Sequence, residues 1–355
     1  QSPRPPPTED ILISLINEVA ALPDRIILVL DDYHLIEAQP IHQSLIFLLD
    51  HLPPHMHLVI ATRSDPFFPL SRLRASGQLT EVRAADLRFS FSEAAEFLNQ
   101  VMGLDLSTED IAALETRTEG WIAGLQLAAI SMRGREDTAS LIQSLTGTHR
   151  LVLDYLVEEV LEQQSESVQT FLLQTAVLNR MTGSLCDAVR FGIAKTPTKQ
   201  ENGQAILKAL DAANLFIVSL DEERRWYRYH PLFSDLLRHR LRQTQPEWIP
   251  TLHDRASAWY EQNGFTGQAI EHALRAEDFE RAAALIERVA DAVWVRGEDT
   301  KLQRWLDGLP VELVFSKPHL CILHAWDLFT SGQQDAAEQS LQAAEKALDT
   351  SLVLS

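Results

Sequence analysis

An unbroken apolar run, Ile26-Ile27-Leu28-Val29-Leu30, breaks off into Asp31-Asp32-Tyr33-His34. Five such residues, just before a helical pattern, predict a strand covered on both faces, as inside parallel sheets. Upstream, Ile11, Leu15, Ile16 and Val19 recur at helical spacing, opened by Thr8-Glu9-Asp10 and ended by Pro23-Asp24. Downstream, Ile41, Leu45, Leu48 and Leu49 mark one face of a helix over 39–52, which Pro53-Pro54 stops. His57-Leu58-Val59-Ile60-Ala61 predicts a second buried strand, leading into Thr62-Arg63-Ser64-Asp65-Pro66. Strand, helix and strand with short connections make a βαβ unit, whose strands lie parallel and adjacent. Asp31, Asp32 and Arg63 are therefore expected at one edge of the sheet. A short helix over 70–76 and a third short strand over 79–82 complete this part.

From Ser90 the pattern turns helical. Ser92-x-x-Ala95 opens a helix to Met102, and Ser107 with Asp110 caps another. Residues 119–129, Glu-Gly-Trp-Ile-Ala-Gly-Leu-Gln-Leu-Ala-Ala, read as a helix of small and large apolar residues. Trp121 and the alanines there suit close helix packing; covering a nucleotide base is the functional alternative. Amphipathic helices follow around 155–161, 168–173, 182–190 and 203–213, with a polar surface loop from Lys195 to Gly203. A strand over 215–220, a turn at 221–224 and a return strand over 226–229 come next, which is the order of a winged-helix domain. His230-Pro231 opens a further helix, with Pro at the first helical position, and that helix carries Arg238, Arg240 and Arg242. Beyond Pro250 the helices repeat. Gly264 and Gly332 lie 68 residues apart with Gly297 near the midpoint, a period of about 34 that matches tetratricopeptide arrays. Leu309-Pro310 and Lys317-Pro318 interrupt the middle unit. Such arrays bury their faces only against neighbours, so the repeat is expected to run on past Ser355.

Charge narrows the functions. Acids number 50 against 31 bases, a formal net charge of −19, whereas DNA or an anionic membrane calls for clustered positive charge. The two cysteines, Cys186 and Cys321, are far apart, which leaves no disulfide framework or cysteine metal site and fits a reducing cytoplasm. No apolar run reaches bilayer length, and no signal-peptide pattern opens the chain. The start, Gln1 with Pro3, Pro5, Pro6 and Pro7, reads as a segment of something longer. Two carboxylates at the end of a buried strand suit magnesium, which takes few protein oxygens, and have the shape of a Walker B strand. A turn or a helix cap is the bland alternative. Arg63 beside them is either a salt-bridge partner or a contact to a terminal phosphate. A phosphate-cradling G-x-x-x-x-G-K-[ST] loop is not in these 355 residues. Its nearest imitation, Gly192-Ile193-Ala194-Lys195-Thr196, lacks the second glycine and follows no strand.

Val29-Leu30-Asp31-Asp32-Tyr33-His34, Ala61-Thr62-Arg63-Ser64-Asp65-Pro66 and Arg72-Leu73-Arg74-Ala75-x-Gly77-Gln78-Leu79 occur in that order. They are followed by Arg83-Ala84-Ala85-Asp86-Leu87-Arg88-Phe89, Glu119–Ala128 and Trp226-Tyr227-Arg228-Tyr229-His230-Pro231-Leu232-Phe233. In this collinear set the chain resembles the MalT-like, LuxR-type ATP-dependent transcriptional regulators, which are signal-transduction ATPases with numerous domains. The resemblance implies that Asp31 holds magnesium through water, that Asp32 lies beside the attacking water, and that Arg63 reads the terminal phosphate. It further implies that His230 touches the diphosphate and locks a closed, ADP-bound form. Gln126 falls in the segment that packs over adenine, where relatives carry Pro. In such regulators the phosphate loop precedes the central strand and the DNA-reading helix-turn-helix lies at the far C-terminus.

The expected fold class is α/β plus mostly α. It comprises the C-terminal half of a parallel-sheet P-loop NTPase domain over 1–88 and a helical lid over 89–148. A winged-helix domain over 149–245 and tetratricopeptide-like repeats over 246–355 follow. The expected function is the switch region of a cytoplasmic regulator that uses ATP, ADP and Mg2+ in its full length, with none bound by this chain alone. An inducer, small molecule or protein, would sit on the repeats; self-association and DNA contact would follow through a domain beyond this chain. The alternative is a non-catalytic scaffold that binds a protein partner through the helical array.

Overall fold

Mainly apolar segments form the two strands of the first unit, β1 (Ile26–Leu30) and β2 (Met56–Ile60). The computed structural model describes residues 8–36, 38–132, 142, 150–194, 202–330 and 333–353. The Pro-rich start, most of the polar stretch from Lys195, and Ser331-Gly332 lie outside them. Two compact units are present, Gln1–Phe89 with Ala209–Phe216, and Ser90–Lys208 with Ile217–Ser355.

In the first unit, helix α1 (Thr8–Ala20) precedes β1, and α2 (Gln39–Asp50) joins the two strands. Helix α3 (Leu70–Ala75) follows β2. The strands pair in parallel, Ile26 opposite Met56 through Leu30 opposite Ile60, as the βαβ spacing requires. The expectation that β1 is covered on both faces does not hold. Ile27 is 64% exposed, Val29 58% and Val59 47%, while Ile26, Leu28 and Leu30 are partly buried. A strand pair with one face covered buries alternate residues only. The strand expected over 79–82 is also absent among the described residues, where that stretch is irregular. Glu81 is held instead by ion pairs to Arg74, at 2.7 Å, and to Arg83.

In the second unit, α4 (Phe91–Ala95) is opened by Ser90 rather than Ser92. Ser90 and Glu93 exchange bonds in a full capping box, and a π-helical turn (Glu96–Val101) continues the helix. Ser107 caps α5 (Thr108–Thr118) by accepting from the Asp110 N–H at 3.1 Å, as expected. Helix α6 is Ile122–Met132, starting later than the sequence suggested. Glu119 and Gly120 take left-handed conformations, φ 48° and 71°, that stop α5 and turn the chain. Trp121 then lies against the small face of α6: a Cβ on Gly124 would stand 2.6 Å from Trp121 Cε3.

Helices α7 (Arg150–Leu156), α8 (Glu166–Thr175), α9 (Gly183–Phe191) and α10 (Gly203–Ala212) lead into strands β3 (Ile217–Ser219) and β4 (Tyr227–Tyr229). The hairpin is antiparallel, Ile217 opposite Tyr229, and Met181 bridges to Tyr227. Asp221 Oδ1 closes the turn by accepting from the N–H groups of Arg225 and Trp226 at 2.8 and 3.1 Å. Helix α11 (Pro231–Thr244) follows, and its Arg238 donates to the Ala176 carbonyl at 2.9 Å and to Asn179 at 2.8 Å. Tyr229 Oη and Thr175 Oγ1 meet at 2.7 Å in the core.

The helical array runs α12 (Ile249–Gln262), α13 (Thr266–Arg275), α14 (Phe279–Val295) and α15 (Asp299–Asp307), then α16 (Val311–Ser316), α17 (Pro318–Thr330) and α18 (Gln334–Val353). Successive helices pack pairwise, most extensively α12 on α13 and α17 on α18. Pro310 and Pro318 flank the short α16, the interruption seen in the sequence. Inside the first hairpin His253 Nδ1 and His272 Nδ1 are 2.8 Å apart and buried. Burial pushes both imidazoles below their ordinary range, His253 to about 4 and His272 to about 3, with Arg275 and Arg238 adding to the effect.

Two outcomes are expected. Gly124→Ala overpacks the Trp121 contact and lowers stability by about 1–3 kcal/mol, with a shifted tryptophan emission; an unchanged denaturation midpoint would refute the close contact. The second concerns acid. Unfolded histidines take up protons near 6.5, while the folded pair does so only near about 4 and about 3. The unfolded chain thus binds more protons across that window, and stability falls as pH drops through it. Melting temperature should fall between about pH 7 and about pH 5, above the ordinary carboxylate range. His253→Asn with His272→Asn should flatten the slope, and a wild-type melting temperature that does not move would count against a neutral pair.

Candidate functional site

Parallel pairing carries the ends of β1 and β2 to one edge of the sheet. The Ala61 N–H donates to the Leu30 carbonyl at 2.9 Å and the Tyr33 N–H to the Ala61 carbonyl at 3.1 Å. Asp31, Asp32 and Arg63 leave the sheet there, all exposed, as the βαβ reading required. Asp32 has φ 49° and ψ 36°, and its N–H donates to Asp31 Oδ1 at 2.9 Å. Thr62 Oγ1 donates to the Ser64 carbonyl at 2.9 Å, shaping the turn at Arg63, and the Arg63 carbonyl accepts from Asn214 Nδ2 at 2.8 Å within the same unit. Farther along, Arg83 ties Asp65 to Glu81. Arg74 and Arg83 hold the Glu81 carboxyl at about 2, well below the usual range.

Two adjacent carboxylates and a nearby guanidinium fit the magnesium end of a nucleotide. Magnesium needs only one or two protein carboxylates, keeping water and phosphate for the rest. A planar guanidinium matches phosphate oxygens. Among the described residues there is no group of three His, Cys, Asp or Glu side chains that would cage a metal without such a partner. The phosphate cradle is not matched in these 355 residues. Gly192, the first residue of its imitation, sits at the C-terminal cap of α9 with φ 83°, and a helix C-terminus presents carbonyls that repel phosphate.

Gln126 and His230 belong to the second unit. Gln126 is exposed in the middle of α6. His230 is 4% exposed and its side chain makes no cap bond to α11. Its Nε2 donates instead to the Thr118 carbonyl, at 2.9 Å, at the end of α5. Arg228 forms an ion pair with Glu119 at 2.6 Å, and the Trp121 ring lies 6.2 Å from His230 and 5.6 Å from Tyr155. The turn at 118–121 therefore receives the hairpin end of the winged-helix segment. The sequence reading put Glu119-Gly120 inside a helix and so missed this turn; Gly120 as a helix stop was the available signal. It also missed the partner of Tyr33: Tyr33 Oη and His42 Nδ1 are 2.5 Å apart, both residues 2% exposed.

Residues 157–249 match the family model of the MalT winged helix domain. The chain is 32% identical over 340 residues to the HTH-type transcriptional regulator MalT of Cronobacter sakazakii, covering 95% of this chain and 37% of that one. Against the MalT regulator of Yersinia pestis it is 33% identical over 325 residues, 90% of this chain and 35% of the other. The serine/threonine-protein kinase PknK of Mycobacterium tuberculosis is 35% identical over 338 residues, 95% of this chain and 30% of the kinase. The chain spans about a third of the length of these curated relatives. Among the described residues no helix is long and apolar enough to cross a membrane. The chain is MalT-like: residues 157–249 match the MalT winged helix domain, and nearly its whole length is similar to a stretch found in both the MalT regulators and the PknK kinase.

Proposed function

We propose that this chain is the switch region of a cytoplasmic ATP-dependent transcriptional regulator, with an NTPase part over 1–88 and a lid over 89–148. The winged-helix part spans 149–245 and tetratricopeptide-like repeats span 246–355. The observation that carries the reading is the parallel register of β1 and β2, which brings Asp31, Asp32 and Arg63 to one rim. The relatives support it from another side. Proteins named for DNA reading and for kinase activity share this stretch, so the common part suits sensing and switching rather than either output.

Bound magnesium nucleotide would supply a terminal phosphate whose presence or loss distinguishes the two states of the switch. Asp31 would hold the metal through water, Asp32 would lie beside the attacking water, and Arg63 would read the terminal phosphate. Gln126 falls in the segment that the resemblance assigns to the adenine. His230, here bonded to the Thr118 carbonyl, is the group through which the winged-helix part would respond to the diphosphate. An inducer on the repeats, small molecule or protein, biases the equilibrium through its different affinity for the two states. Self-association and DNA contact follow, the latter through a domain outside these residues.

In the full-length gene product, Asp32→Asn is expected to lower kcat for ATP hydrolysis about 100-fold or more, and Asp31→Asn to abolish the magnesium dependence. Unchanged hydrolysis in both variants would remove the carboxylates from the site. The 355-residue chain alone should give no calorimetric heat of tight ATP binding. A full-length protein that binds no nucleotide would favour the scaffold reading instead.

A further inference from the structure

Asp31 and Asp32 are exposed, so nothing packs on the carboxylates to aim them. Their direction is set by backbone. Asp32 is held in the left-handed region at φ 49°, which aspartate tolerates better than most residues but does not favour. What holds it lies on its C-terminal side. The Leu35 N–H donates to the Asp32 carbonyl at 2.9 Å, and the Ile36 N–H to the Tyr33 carbonyl at 3.1 Å, closing a single tight turn. Tyr33, the next residue, is stitched to β2 through its N–H.

The Tyr33 side chain is fixed as firmly as its backbone. Its ring packs against Phe68 at 5.4 Å and meets His42 edge-on at 5.5 Å, and His42 lies 4.9 Å from Phe67. Tyr33 Oη and His42 Nδ1 share a hydrogen bond at 2.5 Å. The other ring nitrogen, His42 Nε2, is buried without a hydrogen-bond partner among the described residues. A buried ring nitrogen left unsatisfied destabilises. Phenylalanine at 33 with leucine at 42 would fill the same space without that penalty. A polar pair retained against its own stability, one residue from a carboxylate pair, suits a requirement for geometry rather than for packing.

We propose that Tyr33 and His42 are positioning residues, whose hydrogen bond locks the turn carrying Asp31 and Asp32 in metal-binding geometry. Phe67 and Phe68 extend the lock to the segment that leaves Arg63, so the two sides of the rim are held together. This rests on the reading of Asp31 and Asp32 as the magnesium-facing acids.

The test uses the full-length protein and Mn2+ titrated in the presence of a non-hydrolysable ATP analogue, read by electron paramagnetic resonance. Tyr33→Phe combined with His42→Leu, which removes both partners and leaves neither unsatisfied, should weaken Mn2+ binding about tenfold or more. Analogue binding without metal and the melting temperature should stay nearly unchanged. His42→Asn beside the native Tyr33, which returns an acceptor near the Nδ1 position, should recover most of the loss. If Asp31→Asn abolishes Mn2+ binding and the double variant leaves it intact, the positioning role is wrong and the site stands. If Mn2+ affinity falls only together with melting temperature, and His42→Asn rescues neither, the pair is structural and the proposal is overturned. If Asp31→Asn has no effect on Mn2+, the site reading fails and the positioning role with it.

Discussion

The parallel hydrogen-bond ladder between Ile26–Leu30 and Met56–Ile60 decides which side chains of the first unit can act together. In an antiparallel pair the ends of successive strands point in opposite directions, and Asp31 would stand a strand length from Arg63. A parallel pair needs a crossover, here α2, and places both exits on one side. The ladder continues past the strands, through Ala61 to Leu30 and Tyr33 to Ala61, so the register is imposed on the residues that carry the charge. The same geometry leaves Ile27, Val29 and Val59 exposed together.

A different constraint organises the second unit. The last carbonyls of a helix have no partners within it, and α5 ends on a left-handed turn that cannot supply them all. The Thr118 carbonyl accepts from the Trp121 N–H at 2.9 Å and from His230 Nε2 at the same distance. One bond closes the turn and the other ties it to the hairpin end of the winged-helix segment. Arg228 with Glu119 adds a partly buried ion pair two residues before His230. A histidine bonded to a backbone carbonyl is directional but replaceable, because water satisfies the same carbonyl when the ring leaves. Such a tie is suited to being exchanged for another partner, whereas Tyr229 on Thr175 in the core is not.

The sequence made the periodic features legible. The βαβ spacing, the Ser107 cap, the β-hairpin closed at Asp221 and the proline-interrupted array all follow from local rules of pattern and turn chemistry. What failed depended on partners. Leu79–Val82 has residues that suit a strand, but no neighbouring strand offers it a ladder, and Arg74 and Arg83 hold Glu81 in a loop. The burial of Ile27 and Val29 likewise depends on a covering layer that no periodicity can supply. Residues 119–121 were misread because an apolar run hid a helix stop at Gly120. Of the candidate site, the rim residues Asp31, Asp32 and Arg63 were legible from topology. Tyr33 with His42, nine residues apart and on different elements, was not. His230 with Thr118, 112 residues apart, had no local signal at all.

The winged-helix segment invites a DNA-binding reading, and its charges argue against it. Sequence-independent affinity for DNA comes from neutralised phosphates, and useful binding takes roughly six to ten of them. Helix α11 offers Arg238, Arg240 and Arg242, but Arg238 is spent inside the domain on the Ala176 carbonyl and Asn179. Burial depresses its pKa, as expected of a guanidinium used for internal bonding. Arg240 and Arg242 are exposed, and even with the exposed Arg224 and Arg225 of the hairpin turn these charges, on a chain of net −19, fall short of that requirement. The surfaces this segment does commit are the hairpin end, engaged at Thr118 and Glu119, and the α11 face, engaged at Ala176. Both are turned inward to other helices of the same unit, which leaves neither surface free to meet phosphates.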